Sequence, residues 1–205
     1  MFNGQASQDK FVCNTLKYKT NGFFVEIGSH DYIKHNNTYY LEKQLNWKGI
    51  MIDIDMNCLS NWKIHRTNSI HIINDATKID YLKLFTDNNV PKNIDYLQID
   101  LDVCNRSTLD CLEKLDKTIF DKYTFSTITF EHDIYTGNFF NTQNISRQIF
   151  LKRGYILVFP NISCNYLGKE CIFEDWYVHP DLVDMDFVNK IKKDYTLNGN
   201  NIIYN

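Results

Sequence analysis

The chain has 205 residues, with 22 Lys and Arg against 25 Asp and Glu and a formal charge of −3. That length suits one domain with a single substantial core. The lack of a polybasic run disfavours nucleic acid or an anionic membrane surface as partner. No apolar stretch approaches a membrane span, and Met1-Phe2-Asn3-Gly4-Gln5 lacks the regions of a signal peptide, so a cytoplasmic protein is expected. The six cysteines (Cys13, Cys58, Cys104, Cys111, Cys164 and Cys171) form no CxxC pair and read as buried reduced thiols rather than zinc ligands.

In chain order, an N-terminal flank (residues 1–20) carries a helical pattern at 8–16, and the first strand follows at 23–27. A helix at 38–45 has Asn37 as its candidate N-cap, and a strand is expected at 50–54. A short helix at 59–65, a strand at 70–73 and a helix at 78–85 come next. The fourth strand lies at 96–101. The helix at 108–115 has Asp110 in its first turn, where a negative charge suits the helix dipole. Strands at 127–130, 155–159 and 173–178 complete the sheet. The helix at 145–153 is closed by Gly154 in a left-handed C-terminal cap. A further helix is expected within 182–193, and 198–205 reads as a frayed tail. The polar stretch 161–170 reads as a loop with no obvious helix. The last two strands are therefore expected to pair antiparallel, because a parallel neighbour needs a crossover of a dozen or more residues. The whole chain, 1–205, reads as one doubly wound α/β domain with helices on both faces of a mostly parallel sheet.

Chemistry concentrates where apolar runs stop. Gly22-Phe23-Phe24-Val25-Glu26-Ile27-Gly28-Ser29-His30-Asp31 and Gly49-Ile50-Met51-Ile52-Asp53-Ile54-Asp55 both end in carboxylates. The carboxyl ends of parallel strands are where open α/β sheets bind ligands. A glycine after the first strand admits close backbone approach, and an acid after the second accepts both hydroxyls of a ribose. A nucleoside-containing cofactor is implied. Neither GxGxxG nor GxxxxGK[ST] occurs, so no phosphate cradle is expected.

A wider set of segments carries a resemblance. Ser7-Gln8-Asp9-Lys10-Phe11-Val12, the first strand, Asn37-Thr38-Tyr39-Tyr40-Leu41-Glu42-Lys43 and Trp47-Lys48-Gly49-Ile50 resemble the FkbM-type methyltransferases. So do Ile94-Asp95-Tyr96-Leu97-Gln98-Ile99-Asp100, Ile128-Thr129-Phe130-Glu131-His132 and Glu174-Asp175-Trp176-Tyr177-Val178, in the family's order. The resemblance implies a Rossmann-like methyltransferase fold with a seven-stranded sheet and an antiparallel last strand. It implies S-adenosylmethionine as cofactor and O-methylation of a sugar, glycan or similar hydroxylated small molecule. Glu26 and Gly28, with Ser29 and Asp31 beside them, would then sit beneath the methionine and ribose. Asp53 would take the ribose hydroxyls, Asp75 with Ala76 would meet the adenine, and Asp100 would close the cofactor site.

Methyl transfer is an in-line displacement that needs positioning and removal of a proton. His132 is the first candidate for the base because of the usual histidine pKa, and Asp100 is the alternative. The carboxylates Asp100, Asp102, Glu131 and Asp133 are candidate ligands for Mg²⁺, which favours oxygen donors. His30, Tyr135 and Phe139 are candidates to line the acceptor site, the two aromatics within a lid around 136–143. A homodimer is left open. Two other readings compete. Asp53-Ile54-Asp55 and Asp100-Leu101-Asp102 are DxD triplets of the kind that hold a metal in nucleotide-sugar glycosyltransferases. Tyr32 and Val103 stand where the family carries glycines, as a catalytically degenerate binding protein would show.

Overall fold

The computed structural model describes residues 1–204. Its elements are α1 (Gln8–Thr15), β1 (Phe23–Ile27), α2 (Tyr39–Leu45), β2 (Lys48–Asp53), α3 (Cys58–His65) and β3 (Ser69–Ile73). They continue with α4 (Tyr81–Asp87), β4 (Asn93–Ile99), α5 (Ser107–Thr118), β5 (Thr124–Glu131), α6 (Phe140–Lys152), β6 (Ile156–Tyr166), β7 (Lys169–Val178), α7 (Met185–Ile191) and β8 (Leu197–Asn198). One sheet runs in the order β3-β2-β1-β4-β5-β7-β6-β8. Strands β1 to β5 are mutually parallel, and β7 is antiparallel to both β5 and β6. This is the expected α/β sheet with eight strands instead of seven. The antiparallel strand is β7, while the strand that comes last, β8, lies parallel to β6.

The central strands are apolar throughout because both faces are covered. Successive side chains alternate between the faces. Val25, Ile27, Ile52, Leu97, Ile99, Ile128 and Phe130 pack with Phe85 of α4, Leu112 and Leu115 of α5 and Phe150 of α6. Phe24, Met51, Tyr96 and Trp176 pack on the other face with Phe11 of α1, Leu41 of α2, Trp62 of α3 and Val188 of α7. Helix lengths follow local chemistry. Asp80 caps α4 by accepting from the Lys83 amide, so that helix begins three residues later than its apolar pattern suggests. Gly154 has φ +85°, as the left-handed cap requires. Asn37 does not cap α2. The helix starts after Thr38, whose side chain makes no cap bond and turns instead to Glu26.

Two expectations fail in the last third of the chain. The stretch 161–170 is not a loop, because β6 continues to Tyr166 and turns back at Leu167-Gly168. Both turn residues have positive φ (48° and 78°), the geometry that matches strand twist in a two-residue hairpin. A leucine in that position hides the turn from a search for Asn-Gly. Register shifts between Leu157 and Ser163 bend β6 as it passes the end of the sheet.

The tail is packed rather than frayed. Leu197 and Asn198 pair with Ile162 and Ser163, and the Asn198 side chain accepts from the Asn200 amide. Gly199 lies so close to the N-terminal segment that a Cβ there would sit 2.2 Å from the Ala6 carbonyl oxygen. Ile202 is buried among the α1 and α7 side chains. Asn205 lies outside the described residues. Ile202→Ala is expected to lower unfolding free energy by roughly 2–4 kcal/mol in urea titrations. An unchanged midpoint would restore the frayed tail.

Candidate cofactor and acceptor site

The strand order reverses between β1 and β4, and the crevice at their carboxyl ends is the ligand position of a doubly wound sheet. There the Asp100 amide donates to the Ile27 carbonyl at 3.0 Å, drawing the turn after β4 against the turn after β1. Gly28 has φ +87°, and a Cβ on it would lie 1.7 Å from the Asp100 carbonyl oxygen. Only glycine fits. The Gly28 and Ser29 amides both donate to the Ile52 carbonyl, which ties the same turn to β2.

Two adjoining hollows open from this point. One, of about 380 Å³, is lined by Gln5, Glu26, Gly28, Ser29, His30, Lys34, His35, Asn36, Gln98 and Asp100. The second, of about 240 Å³, is lined by Asn74, Asp75, Ala76, Asn105 and Ser107. Asp53, Ile54, Leu101 and Asp102 belong to both and mark their junction. A larger, open depression of about 530 Å³ lies at the opposite end of the strands, around Lys19, Asn93, Asp95 and Asp184. It is at the wrong end of the sheet for the crevice rule.

Glu26 forms the floor of the first hollow. Its Oε2 accepts from Asn36 Nδ2 and Thr38 Oγ1, each at 3.0 Å, while Oε1 has no partner. Burial pushes its carboxyl up, against the opposing pull of Arg66 and these hydrogen bonds. Arg66 is fully buried and organises the layer beneath: Nε donates to Glu42 Oε2 at 2.8 Å, Nη1 to Asn36 Oδ1 at 2.8 Å and Nη2 to Thr38 Oγ1 at 2.6 Å. Burial alone would push Glu42 up too, but the Arg66 guanidinium and Ser69 hydroxyl hold it below its usual value. Asp53 accepts the His30 amide at 2.8 Å on one oxygen and the Asp55 amide at 2.9 Å on the other. Asp75 accepts from Thr77 and pairs with Lys78 at 2.9 Å, which brings its carboxyl down to about 2.

The structure thus brings Glu26, Gly28, Ser29, His30, Asp53, Asp75, Ala76, Asp100 and Asp102 to one crevice. Ser29 contributes backbone, since its hydroxyl donates to the Glu26 carbonyl and accepts from the Ile52 amide. Asp31 is not in the crevice. Its carboxylate caps the following turn through the Ile33 and Lys34 amides. Tyr135 and Phe139 line neither hollow, and a Cβ on Gly137 would lie 3.2 Å from the Phe139 ring, which packs on its own loop.

His132 is a correction. It is fully buried and faces α6 and β7, with Nε2 3.3 Å from Gln143 Nε2 and 3.5 Å from Asp175 Oδ1. Strand alternation explains this: Glu131 faces the crevice side, so the next side chain faces away. Arg147 completes that group with bonds to both Asp175 oxygens at 2.7 and 2.9 Å. Burial pushes the Asp175 carboxyl up, but His132 and Arg147 hold it well below the usual range.

The metal assignment is corrected as well. Among the described residues no group of three or more His, Cys, Asp or Glu side chains is arranged to hold a metal. Asp102 is exposed and caps the Cys104 amide, while Glu131 is within hydrogen-bonding reach of Asp100 and Asp133 instead of sharing a centre with Asp102. The DxD triplets fare no better, since Asp55 turns to Asn57. Residues missed in the sequence are Arg66, Asn36, Gln98 and Gln5. Gln98 had a readable signal, as a polar residue inside an apolar strand.

No family model and no curated protein matches the chain. Solved structures do resemble it. A TehB-like SAM-dependent methyltransferase from Corynebacterium glutamicum is 9% identical with a TM-score of 0.54, covering 87% of this chain and 89% of its own. An rRNA methylase from Streptococcus thermophilus is 16% identical with a TM-score of 0.52, covering 87% and 98%. A Streptococcus mutans protein solved in complex with SAH is 12% identical with a TM-score of 0.51, covering 87% and 99%. The chain therefore has the Rossmann-like methyltransferase fold. These likenesses do not single out the FkbM type.

The buried carboxyls set a pH dependence. Glu26 and Glu174, both almost fully buried, are raised by burial, as are Glu131, Asp100 and Asp133. A raised group binds more protons folded than unfolded. Its stabilisation is therefore present at low pH and is lost as pH rises through the folded value. Asp175 and Glu42 are lowered and act oppositely, losing stabilisation on strong acidification. Stability should fall as pH rises from the ordinary carboxylate range, about pH 4, towards neutrality. Urea midpoints that stay flat or rise over that interval would contradict it.

Proposed function

We propose that the chain is an S-adenosylmethionine-dependent methyltransferase of the FkbM type, transferring a methyl group to a hydroxyl of a sugar or similar small molecule. The observation that carries the cofactor assignment is the unpartnered Oε1 of buried Glu26 beside the Gly28 cradle. A buried acceptor without a donor is costly, and an amino-acid ammonium supplies both donors and charge. The junction at Asp53 suits a ribose diol, because each of its oxygens uses one lone pair on an amide and keeps another. Ile54 and Leu101 offer apolar contact to an adenine in the second hollow, with Asp75 and Ala76 at its far wall.

Bound there, the cofactor supplies an electrophilic methyl on a sulfonium. The protein's part is to orient the acceptor and accept its proton. With His132 facing away, Asp100 takes the role of base. Its carboxyl is pushed up by burial while Gln98 Nε2 donates to Oδ2 at 3.3 Å, so it is a stronger proton acceptor than an ordinary aspartate. His30, Lys34 and Gln5 form the rim over which an acceptor enters.

The test is calorimetric titration with S-adenosylhomocysteine. Micromolar binding is expected, and Asp53→Ala should weaken it by roughly 1–3 kcal/mol, the scale of lost charge-assisted bonds. Absence of binding to the unaltered protein would overturn the methyltransferase reading. Unaltered affinity in the variant would remove Asp53 from the ribose.

A further inference from the structure

The carboxylates at the ends of β4 and β5, with Glu174 opposite them in the middle of β7, are the part of the molecule that the cofactor leaves unused. Glu131 and Glu174 are direct register partners on antiparallel strands, so their side chains leave the same face of the sheet together. Glu131 is also within hydrogen-bonding reach of Asp100 and Asp133. Like charges placed opposite one another destabilise a sheet. Among the described residues no Lys, Arg or His pairs with any of Asp100, Glu131, Asp133 or Glu174. The Arg147 guanidinium lies on the other face, held by Asp175, with His132 beside it.

Two buried side chains, one in the cluster and one beside it, mark this place as one that accepts a donor. Glu174 is 3% exposed and within hydrogen-bonding reach of Gln8 and Trp176, yet its Oε1 is left without a partner. Gln98 is 4% exposed, and with its Nε2 directed at Asp100 its own Oε1 is left without one. Neither belongs to a solvated acidic surface: Gln98 lines the first hollow, and Glu174 is buried next to the cluster without lining either hollow.

We propose that the acceptor carries a protonated amine, and that Glu131, Glu174 and Gln98 hold this amine while Asp100 faces the hydroxyl to be methylated. The inference rests on the methyltransferase reading. An ammonium brings positive charge and three donors on one compact centre, which a neutral hydroxyl does not. A divalent metal is the poorer fit, because no three of these groups are arranged around a common point. A protonated amine has no lone pair, so it anchors the acceptor and is not the atom methylated. The acceptor class is then a polyhydroxylated amine such as an amino sugar.

The experiment uses the protein loaded with S-adenosylhomocysteine, titrated with glucosamine and separately with N-acetylglucosamine, the same ring with the charge removed. Glucosamine is expected to bind at least tenfold more tightly. Glu174→Gln, and independently Glu131→Gln, should remove most of that preference while S-adenosylhomocysteine affinity and the far-UV spectrum stay unaltered. Equal binding of the two sugars, no binding of either, or a preference retained in both variants would overturn the proposal. So would MgCl₂ binding that Glu174→Gln abolishes and glucosamine fails to compete, since the cluster would then be a metal site. S-adenosylhomocysteine binding is recorded first in the same cell. Its absence sinks the methyltransferase reading, whereas its presence without amine preference sinks this inference alone.

Discussion

The contact of the turn after β1 with the turn after β4 is the constraint on which the crevice depends. Parallel pairing brings the Asp100 amide onto the Ile27 carbonyl, and the chain then passes Gly28 so closely that no side chain could occupy it. A larger residue would force the strands apart just where the sheet order reverses. With the strands held, Glu26 lies at the floor of the crevice and Asp53 is drawn onto the His30 amide at its junction. The two hollows and their shared walls follow from that one approach.

Charge is treated differently on the two sides of the sheet. Beneath β1, fully buried Arg66 neutralises Glu42 and reaches Glu26 only through Asn36 and Thr38. On the α6 side, Arg147 neutralises Asp175, with His132 beside the pair. Breaking either pair leaves a buried charge uncompensated, which costs more than the pair's net contribution in the intact fold. The ends of β4 and β5 on the crevice side, and Glu174 opposite them in β7, have no such partner. Burial there pushes Glu131 and Glu174 well above the usual carboxylate range. Glu42 and Asp175 are paired with arginines, whereas Glu131 and Glu174 have no cation partner among the described residues.

Much of the fold was legible because buried parallel strands are continuous apolar runs, and the seven runs in the sequence became β1 to β7 in order. What escaped notice was set by backbone conformation or distant packing. Leu167 adopts a left-handed turn that its side chain does not advertise. The tail looks polar residue by residue, yet Gly199 and Ile202 find their places against Ala6 and α7. At the site, acids close behind the strands were readable, whereas Asp31, four residues past the end of β1, serves only its own turn. Arg66 was invisible, since nothing local distinguishes a core arginine from a surface one.

His132 teaches the sharper lesson, because the information needed to place it was present in strand parity. Thr129 and Glu131 share one face of β5, and Phe130 and His132 share the other. Phe130 belongs to the apolar layer that includes Phe150 of α6, so a histidine two residues later must face the same helix. The same parity groups Glu174 with Trp176 and separates both from Asp175. Two neighbouring acids thereby acquire opposite environments, one bound to Arg147 and one beside Gln8 and Trp176 with no cation partner. Structures sharing this fold at 9–16% identity constrain the sheet and not these environments. Substrate choice therefore has to be argued from which face each strand-end side chain occupies and from what, on that face, already neutralises it.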